Sequence, residues 1–345
     1  MKFVGVDLHK NTISVCVMIQ DGNQRKVVNR ERFACSETER IATFFRELGP
    51  FRLVVEATSS YEWFLQLVES GADRIVLAHP KKLRVIAEST RKTDKIDAEV
   101  LALFLMLDMI PEAYRPTPRQ REHRTLVRQR RSIQGRITSV KNKMRHVLAG
   151  YNADRASLFS QAGRKYLRQA SVSSADRYVL GQLEEALDFH SEQMAAIDKQ
   201  LRAFAKTAPI AEKEAREVLD TIPCVGPVTI DVVVSELGDV RRFRSQKKVG
   251  AYAGLAPGIR ESSGRRKELG ITKEGSRLLR WALVETAWRL VGKTRRWGLI
   301  YDRFKKRMGA KKAIVAVARR VLCVMVAMLN SGKRYNTALE ALTPP

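Results

Sequence analysis

Four carboxylates stand out by type and position. Asp7 closes the run Phe3-Val4-Gly5-Val6-Asp7, and Glu56 closes Leu53-Val54-Val55-Glu56. Asp94 and Asp97 lie three apart in Lys92-Thr93-Asp94-Lys95-Ile96-Asp97, so on a helix they share one face. Oxygen donors in an incomplete protein cage suit Mg²⁺, which keeps waters and takes substrate phosphates. Two such ions, roughly 3.5–4 Å apart, stabilise both the attacking and the leaving oxygen of a phosphodiester displacement. Taken singly, each acid also reads as a solvated surface group. The combination favours the site: Asp7 and Glu56 each end a strongly apolar segment, and open α/β sheets bind ligands beyond the carboxyl ends of their strands.

A second chemistry lies far downstream, in Glu261-Ser262-Ser263-Gly264. A serine hydroxyl is a weak nucleophile that a base or metal must activate. Attack on a phosphodiester would give a phosphoserine linkage that conserves the bond for religation. Arg260, Arg265, Arg266 and Lys267 surround the pair and could neutralise developing charge. The same four residues are also ordinary loop chemistry, and spacing and composition alone favour that reading.

The elements that must position these groups follow from periodicity and punctuation. Residues 3–6, 13–18 and 26–33 read as strands, 41–48 as a helix, and 52–55 as a strand. Residues 61–69 read as a helix capped by Ser59 or Ser60, 75–78 as a strand, and 81–86 as a helix begun by Pro80. Three strands followed by helix, strand, helix, strand is the order of a ribonuclease-H-like sheet. Pro111, Pro116 and Pro118 mark a linker. A long basic helix spans 121–148, with a seam at Ile133, Ile137, Val140, Met144 and Val147 and a basic row at Arg121, Arg124, Arg128 and Arg131. A second seam, Leu180, Leu183, Leu187, His190, Met194, Ile197, Leu201 and Phe204, allows an antiparallel hairpin within one chain or a bundle between chains. In it, His190 reads as a register-setting polar residue.

Residues 218–237 read as helix, tight turn and helix around Pro223-Cys224-Val225-Gly226-Pro227. This resembles a helix-hairpin-helix, which binds DNA phosphates through backbone N–H groups. Gly226 supplies the sharp backbone path, and the basic run Arg241, Arg242, Arg244, Lys247 and Lys248 follows. Residues 278–329 read as amphipathic helix, with Trp281, Trp288 and Trp297 as core or interface residues rather than base-stacking platforms, and with Arg295, Arg296, Lys305, Lys306, Arg307, Lys311 and Lys312 as another candidate nucleic-acid surface. Residues 336–345 read as a frayed tail.

Charge bounds the partner. The 345 residues carry 63 Lys and Arg against 37 Asp and Glu, a formal +26, which points to a polyanion. No signal peptide or lipidation motif appears, and the apolar stretch 321–329 is too short to cross a bilayer, so a membrane partner is not expected. Four scattered cysteines without a C-x-x-C argue against structural zinc or a disulfide scaffold and fit a reducing cytoplasm.

Together, Gly5-Val6-Asp7, Val55-Glu56-Ala57-Thr58 and Lys92-Thr93-Asp94-Lys95-Ile96-Asp97-Ala98 form one motif set. Ala253-Gly254-Leu255-Ala256-Pro257, Glu261-Ser262 and Thr272-Lys273-Glu274-Gly275 form another. In this order they resemble the transposases of the IS-one-ten group of bacterial insertion sequences, bridge-RNA-guided recombinases, over nearly the whole chain. The resemblance implies a RuvC-like domain at 1–112 whose DEDD carboxylates are Asp7, Glu56, Asp94 and Asp97. It implies a basic coiled-coil region at 113–208, and a mostly α transposase domain at 209–335 with Ser262 as nucleophile, ahead of the tail at 336–345. Ser263 follows directly, so two adjacent hydroxyls stand as candidates. Mg²⁺, donor and target DNA, a guide RNA and a dimeric or tetrameric assembly are the implied partners. Nucleic-acid contacts are expected from Arg121, Arg124, Arg128, Arg131, Gly226, Lys247, Lys248, Arg265, Arg266, Lys267 and Lys273. The competing readings are a RuvC-type nuclease that hydrolyses branched DNA with water, and a protein that only binds DNA.

Overall fold

Period-two apolar patterning along the first hundred residues builds one twisted sheet. β1 (Lys2–Leu8), β2 (Thr12–Asp21) and β3 (Gln24–Ala34) form an antiparallel meander. α1 (Thr38–Glu47) then leads to β4 (Phe51–Glu56), and α2 (Tyr61–Val68) to β5 (Ala72–Ala78). The strand order is β3-β2-β1-β4-β5, with β4 parallel to both β1 and β5. α3 (Pro80–Ile86) and α4 (Asp94–Met106) follow. In this computed structural model residues 1–58, 60–86, 94–262 and 265–338 are described. The chain divides into two compact units, Met1–Arg115 and Pro116–Pro345.

The sheet of the first unit is covered on both faces, which is why β1 reads as a nearly continuous apolar run. Val4, Val6, Leu53 and Val55 pack with Ile41 and Phe45 of α1 and Phe64 and Leu65 of α2. Val54, Val76 and Ala78 pack on the opposite face with Leu101 and Leu105 of α4. β3 is the exposed edge, and its Arg25, Lys26, Arg30, Glu31 and Arg32 blunt edge-to-edge pairing. The other edge is closed by the segment read as a linker. The Ala113 amide donates to the Leu77 carbonyl, His79 donates to Pro111, and Ala78 bridges Glu112. β5 would otherwise leave buried backbone groups unpaired, which a proline count cannot reveal. Ser60 occupies the cap position of α2 without a side-chain cap bond; Ser59 lies outside the described residues.

The second unit is mostly helical. α5 (Pro118–Ala149) starts with Pro118 at its first position and Thr117 as cap. α6 (Gln161–Gln169) is short, and α7 (Ser174–Lys206) runs back along α5. Ile133, Ile137, Val140, Met144 and Leu148 meet Leu180, Leu183, Leu187, Met194 and Ile197, so the two seams zip within one chain. α8 (Ile210–Asp220) and α9 (Pro227–Leu237) form the expected helix pair. Its left-handed residue is Cys224, at φ +62°; Gly226 has φ −113° and serves as the N-cap of α9.

After α10 (Gln246–Tyr252), the stretch read as a basic loop is instead an antiparallel ribbon, β6 (Pro257–Ser262) and β7 (Arg265–Ile271). α11 (Arg277–Lys293), α12 (Arg295–Met308) and α13 (Ala310–Ser331) complete the unit. α13 runs longer than its apolar core of 321–329 suggested. By length and composition alone it could cross a membrane, but half of that apolar window is buried inside the unit. There Val317, Val321, Leu322 and Met325 meet α11 and Trp297 of α12. Tyr335 is buried and accepts a hydrogen bond from Trp297 Nε1 at 3.0 Å.

Candidate functional site

The carboxylates of the first unit sit where the sheet topology concentrates chemistry. β1 and β4 run parallel in the register Gly5 with Val54 and Val6 with Val55, so Asp7 and Glu56 come next at the carboxyl ends of neighbouring strands. Val54 packs under α4, and Gly5 meets α4 directly. Side chains two residues on return to the same face, so Asp7 and Glu56 both project toward the α4 side. A Cβ at Gly5 would stand 2.0 Å from the Ala98 carbonyl oxygen and 2.4 Å from the Ala102 amide nitrogen. The missing side chain therefore lets the backbone of α4 touch β1.

That contact fixes the helix. Met106, at its far end, clusters with Met18, whose strand partner is Phe3 near the start of β1. α4 therefore runs antiparallel to β1, and its first turn, from Asp94 to Asp97, lies at the end of the sheet that carries Asp7 and Glu56. Asp7 is buried (9% exposed), with His9 Nε2 at 3.0 Å from its Oδ2. Glu56 and Asp97 are half-buried. The side chain of Asp94 falls outside those described. Among the described residues no three His, Cys, Asp or Glu side chains already make a metal-sized cluster. The donor set is nonetheless carboxylate oxygen throughout, with Asp7 buried and Glu56 next to it in strand register, the donor type that hard divalent cations take. Cys16, opposite Gly5 on β2 and packed against Ala98 and Ala102 of α4, supplies no competing thiolate: burial, reinforced by Glu99, pushes its thiol up to about 11.

In the second unit the two motif segments interlock. Gly254 (φ +67°) and Gly275 (φ +92°) are both left-handed. A Cβ on Gly254 would lie 1.9 Å from the Glu274 carbonyl oxygen, and one on Gly275 would lie 1.9 Å from that of Tyr252. Only glycine permits both the φ and the approach. Arg280 Nη1 locks the clasp by donating to the carbonyls of Ala253 and Gly275 at 3.1 Å each and reaching that of Glu274 at 3.4 Å. Lys273 (φ +55°) donates its amide to Gly254. The clasp forms the base of the β6–β7 ribbon, which carries Ser262 at the end of β6, in register with Arg265. Arg266 and Lys267 pair with Glu261 and Arg260 along the same ladder. Ser263 lies outside the described residues.

Residues 4–153 match the DEDD-type IS110 transposase family, and residues 216–302 match the family described as "Transposase IS116/IS110/IS902 family". The chain belongs to this transposase family. Asp7, Glu56, Asp94 and Asp97 all fall within the first match, and Ser262 within the second. The chain is 25% identical over 345 residues to the transposase for insertion sequence element IS1111A of Coxiella burnetii, covering 97% of this chain and 91% of that protein. It is 23% identical to the pilin gene-inverting protein of Moraxella bovis, covering 98% of each. The transposase for IS1328 of Yersinia enterocolitica is 24% identical over 82% of each chain. The molecule is therefore an insertion-sequence transposase, of a class that cuts and rejoins DNA, and its DEDD type implies dependence on a divalent metal.

The basic positions in this transposase divide by environment. Lys247, Lys248 and Lys273 are exposed, and a Cβ at Gly226 would meet open space. The row on α5 is largely spent inside the second unit. Arg124, 14% exposed, donates to the carbonyls of Ser235 and Glu236. Arg121 donates to the Pro116 carbonyl, Arg131 lies 4.3 Å over the Trp281 ring, and Arg128 reaches Glu236 from a side chain still 60% exposed. These arginines flank the inward stripe of Gln120, His123 and Val127, and long stems carry the guanidinium groups of Arg124 and Arg128 across to α9. Sequence reading passed over His9, Gly5 and Arg280. Only the small Ala98 and Ala102 opposite Gly5 hinted at the close helix contact.

Proposed function

We propose that the chain is a metal-assisted DNA recombinase that cuts and rejoins strands through a phosphoserine intermediate on Ser262, guided by an RNA that pairs with donor and target. The observation that carries the first part is the placement of Asp7 and Glu56 side by side at the ends of β1 and β4, with α4 drawn against Gly5 so that Asp97 begins beside them. The strand order β3-β2-β1-β4-β5, with β1 central, supports a ribonuclease-H-like, RuvC-type unit. Asp7, Glu56, Asp94 and Asp97 would hold Mg²⁺, which supplies charge neutralisation at a phosphate oxygen and a lowered proton affinity for an adjacent hydroxyl. Asp7 is held in place by His9, and the carboxylates orient the scissile phosphate.

Ser262 Oγ then attacks phosphorus. The bond to the departing deoxyribose oxygen breaks, the serine proton passes to a base, and the leaving oxygen takes up a proton. The reverse attack by a new strand's hydroxyl restores a phosphodiester and frees the serine. Arg265, Arg266 and Lys267 on β7 supply positive charge opposite the chain that carries the serine. The paired helices α8 and α9, with Gly226 leading into α9, support a helix-hairpin-helix contact to DNA phosphates. Lys247, Lys248 and Lys273 extend it, and Arg128 adds the exposed member of the α5 row. Assembly into dimers or tetramers rests on the family resemblance alone, because the α5 and α7 seams are already paired within one chain. Four free cysteines suit a reducing cytoplasm.

The test is incubation of the transposase with Mg²⁺, element DNA and co-purified RNA, followed by denaturing gels for protein-bound strands. A covalent adduct that disappears in Ser262→Ala and in Asp7→Asn is the expected result. Free DNA ends with no adduct would instead identify a water-using nuclease. An adduct retained in Ser262→Ala but lost in Ser263→Ala would move the nucleophile by one residue.

A further inference from the structure

Trp288 stands on α11 with 47% of its surface exposed. Its ring meets Tyr301 of α12 at 5.6 Å between centroids, the planes at 58°. Tyr301 is buried (8% exposed) and so backs the tryptophan from a fixed position. Lys305 Nζ lies 6.0 Å from the centroid of the same tyrosine. Lys305 lies within a strongly positive segment: between residues 295 and 312 eight Lys and Arg face a single acid, Asp302. Lys305, Lys306 and Arg307 end α12, and Lys311 and Lys312 begin α13 one tight corner later, all exposed. Arg303, Lys306, Arg307 and Lys311 form no ion pair or side-chain hydrogen bond among the described residues. Lysines in a first helical turn also oppose the helix dipole. The local electrostatics thus favour an external anion over any internal partner.

We propose that Trp288, backed by Tyr301, is a stacking platform for an unpaired base, and that the α12–α13 corner holds the flanking phosphates, making a single-stranded nucleic-acid site. A duplex could use the charge, but its stacked bases offer no face to the indole; an opened strand uses both. Exposed Glu285, one turn before Trp288 on α11, disfavours phosphate on that side and directs the strand toward the corner. The inference rests on reading the chain as a transposase that handles opened strands. It does not depend on the carboxylates or on Ser262.

The experiment measures binding of the full chain, with chelator present so that no strand is cut, to single-stranded DNA, single-stranded RNA and duplex DNA of one sequence. Trp288→Ala is expected to weaken single-strand binding roughly fivefold to a hundredfold, the loss of one base–aromatic stack, and duplex binding less than about twofold. Trp288→Phe should keep most of the affinity while abolishing the quench of tryptophan fluorescence on strand addition. Lys306→Ser with Arg307→Ser should reduce the single-strand salt slope by about 1.4, two phosphates at ~0.7 each. A Trp288 effect on RNA alone or DNA alone supports the site and names its strand. Equal losses for single strand and duplex, a quench that survives Trp288→Phe, or a Trp288→Ala chain with altered mass in light scattering and intact strand binding would each overturn it. Loss of strand joining with binding intact would count against the proposed chemistry and leave this site standing.

Discussion

At the scale of single residues, the molecule turns on a glycine and a histidine that carry no obvious chemistry. Gly5 lets α4 approach until its backbone touches β1, and that approach sets where Asp97 begins. Gly5→Ala would force a methyl group onto the Ala98 carbonyl and the Ala102 amide, backbone atoms that cannot rotate away. We expect a loss of about 1–3 kcal/mol in denaturant unfolding, and divalent-metal binding weakened further than the stability change accounts for. Unchanged metal affinity would mean that α4 does not set the carboxylates. His9 orients Asp7 at 3.0 Å. Groups that fix a ligand in this way typically hold 10- to 100-fold in metal affinity. His9→Ala should therefore lower Mn²⁺ affinity roughly 10- to 100-fold by calorimetry while leaving the thermal midpoint nearly unmoved. Asp7 and Glu56 were legible in the sequence because each ends an apolar run. Gly5 and His9 were not, because their importance lies in a partner ninety residues away or in the curl of the chain after a strand.

At the scale of elements, what the sequence revealed and what it concealed follow the range of the interactions. β1 to β5 and the helices between them appear in the expected order, since alternation and caps are local signals. The seams of α5 and α7 were equally plain, although their spacing left pairing within one chain and bundling between chains both open. The β6–β7 ribbon was hidden, because Gly, Ser and Arg give loop composition. Its strands form only when Gly254 and Gly275 interlock and Arg280 closes them. Arg280→Met should cost about 1.5–3 kcal/mol, the worth of hydrogen bonds from a charged donor, and amide exchange should quicken selectively across β6 and β7. Slowed exchange or uniform effects over α11 to α13 would refute the clasp. The row on α5 concealed a second device: Glu212 of α8 accepts from Arg119 at 2.6 Å and from Arg216 at 3.1 Å, tying α5 to α8. Burial raises the Glu212 pKa, but the bonds from Arg119 and Arg216 outweigh it and leave the carboxyl below its usual value. A depressed carboxylate contributes stability above its unfolded pKa and loses it as pH falls through the folded value. Glu212→Gln should thus destabilise the second unit at neutral pH and flatten the acid limb of its unfolding curve below about pH 4.5. An acid limb identical to that of the parent would place the titration elsewhere.

At the scale of the whole molecule, the charge is divided as sharply as the fold. Met1–Arg115 holds 17 Lys and Arg against 16 Asp and Glu, while Pro116–Pro345 holds 46 against 21. Nearly all of the formal +26 therefore belongs to the helical unit. A near-neutral unit keeps a carboxylate site selective for small hard cations, because no basic field competes for its acids. A unit of charge +25 collects polyanion from a distance and releases its counterions on contact. Affinity and chemistry should then separate experimentally. Binding of the transposase to nucleic acid should fall steeply with salt, by roughly 10³–10⁵ between 50 and 200 mM if six to ten phosphates are engaged. Asp7→Asn, which removes one acid from the near-neutral unit, should leave both affinity and salt slope unchanged while abolishing strand transfer. Photocrosslinks from phosphate-modified DNA should map to peptides of Pro116–Pro345. A shallow slope, or crosslinks concentrated in Met1–Arg115, would mean that the substrate is gripped by the carboxylate-bearing unit, and the division of labour between the two units would fail.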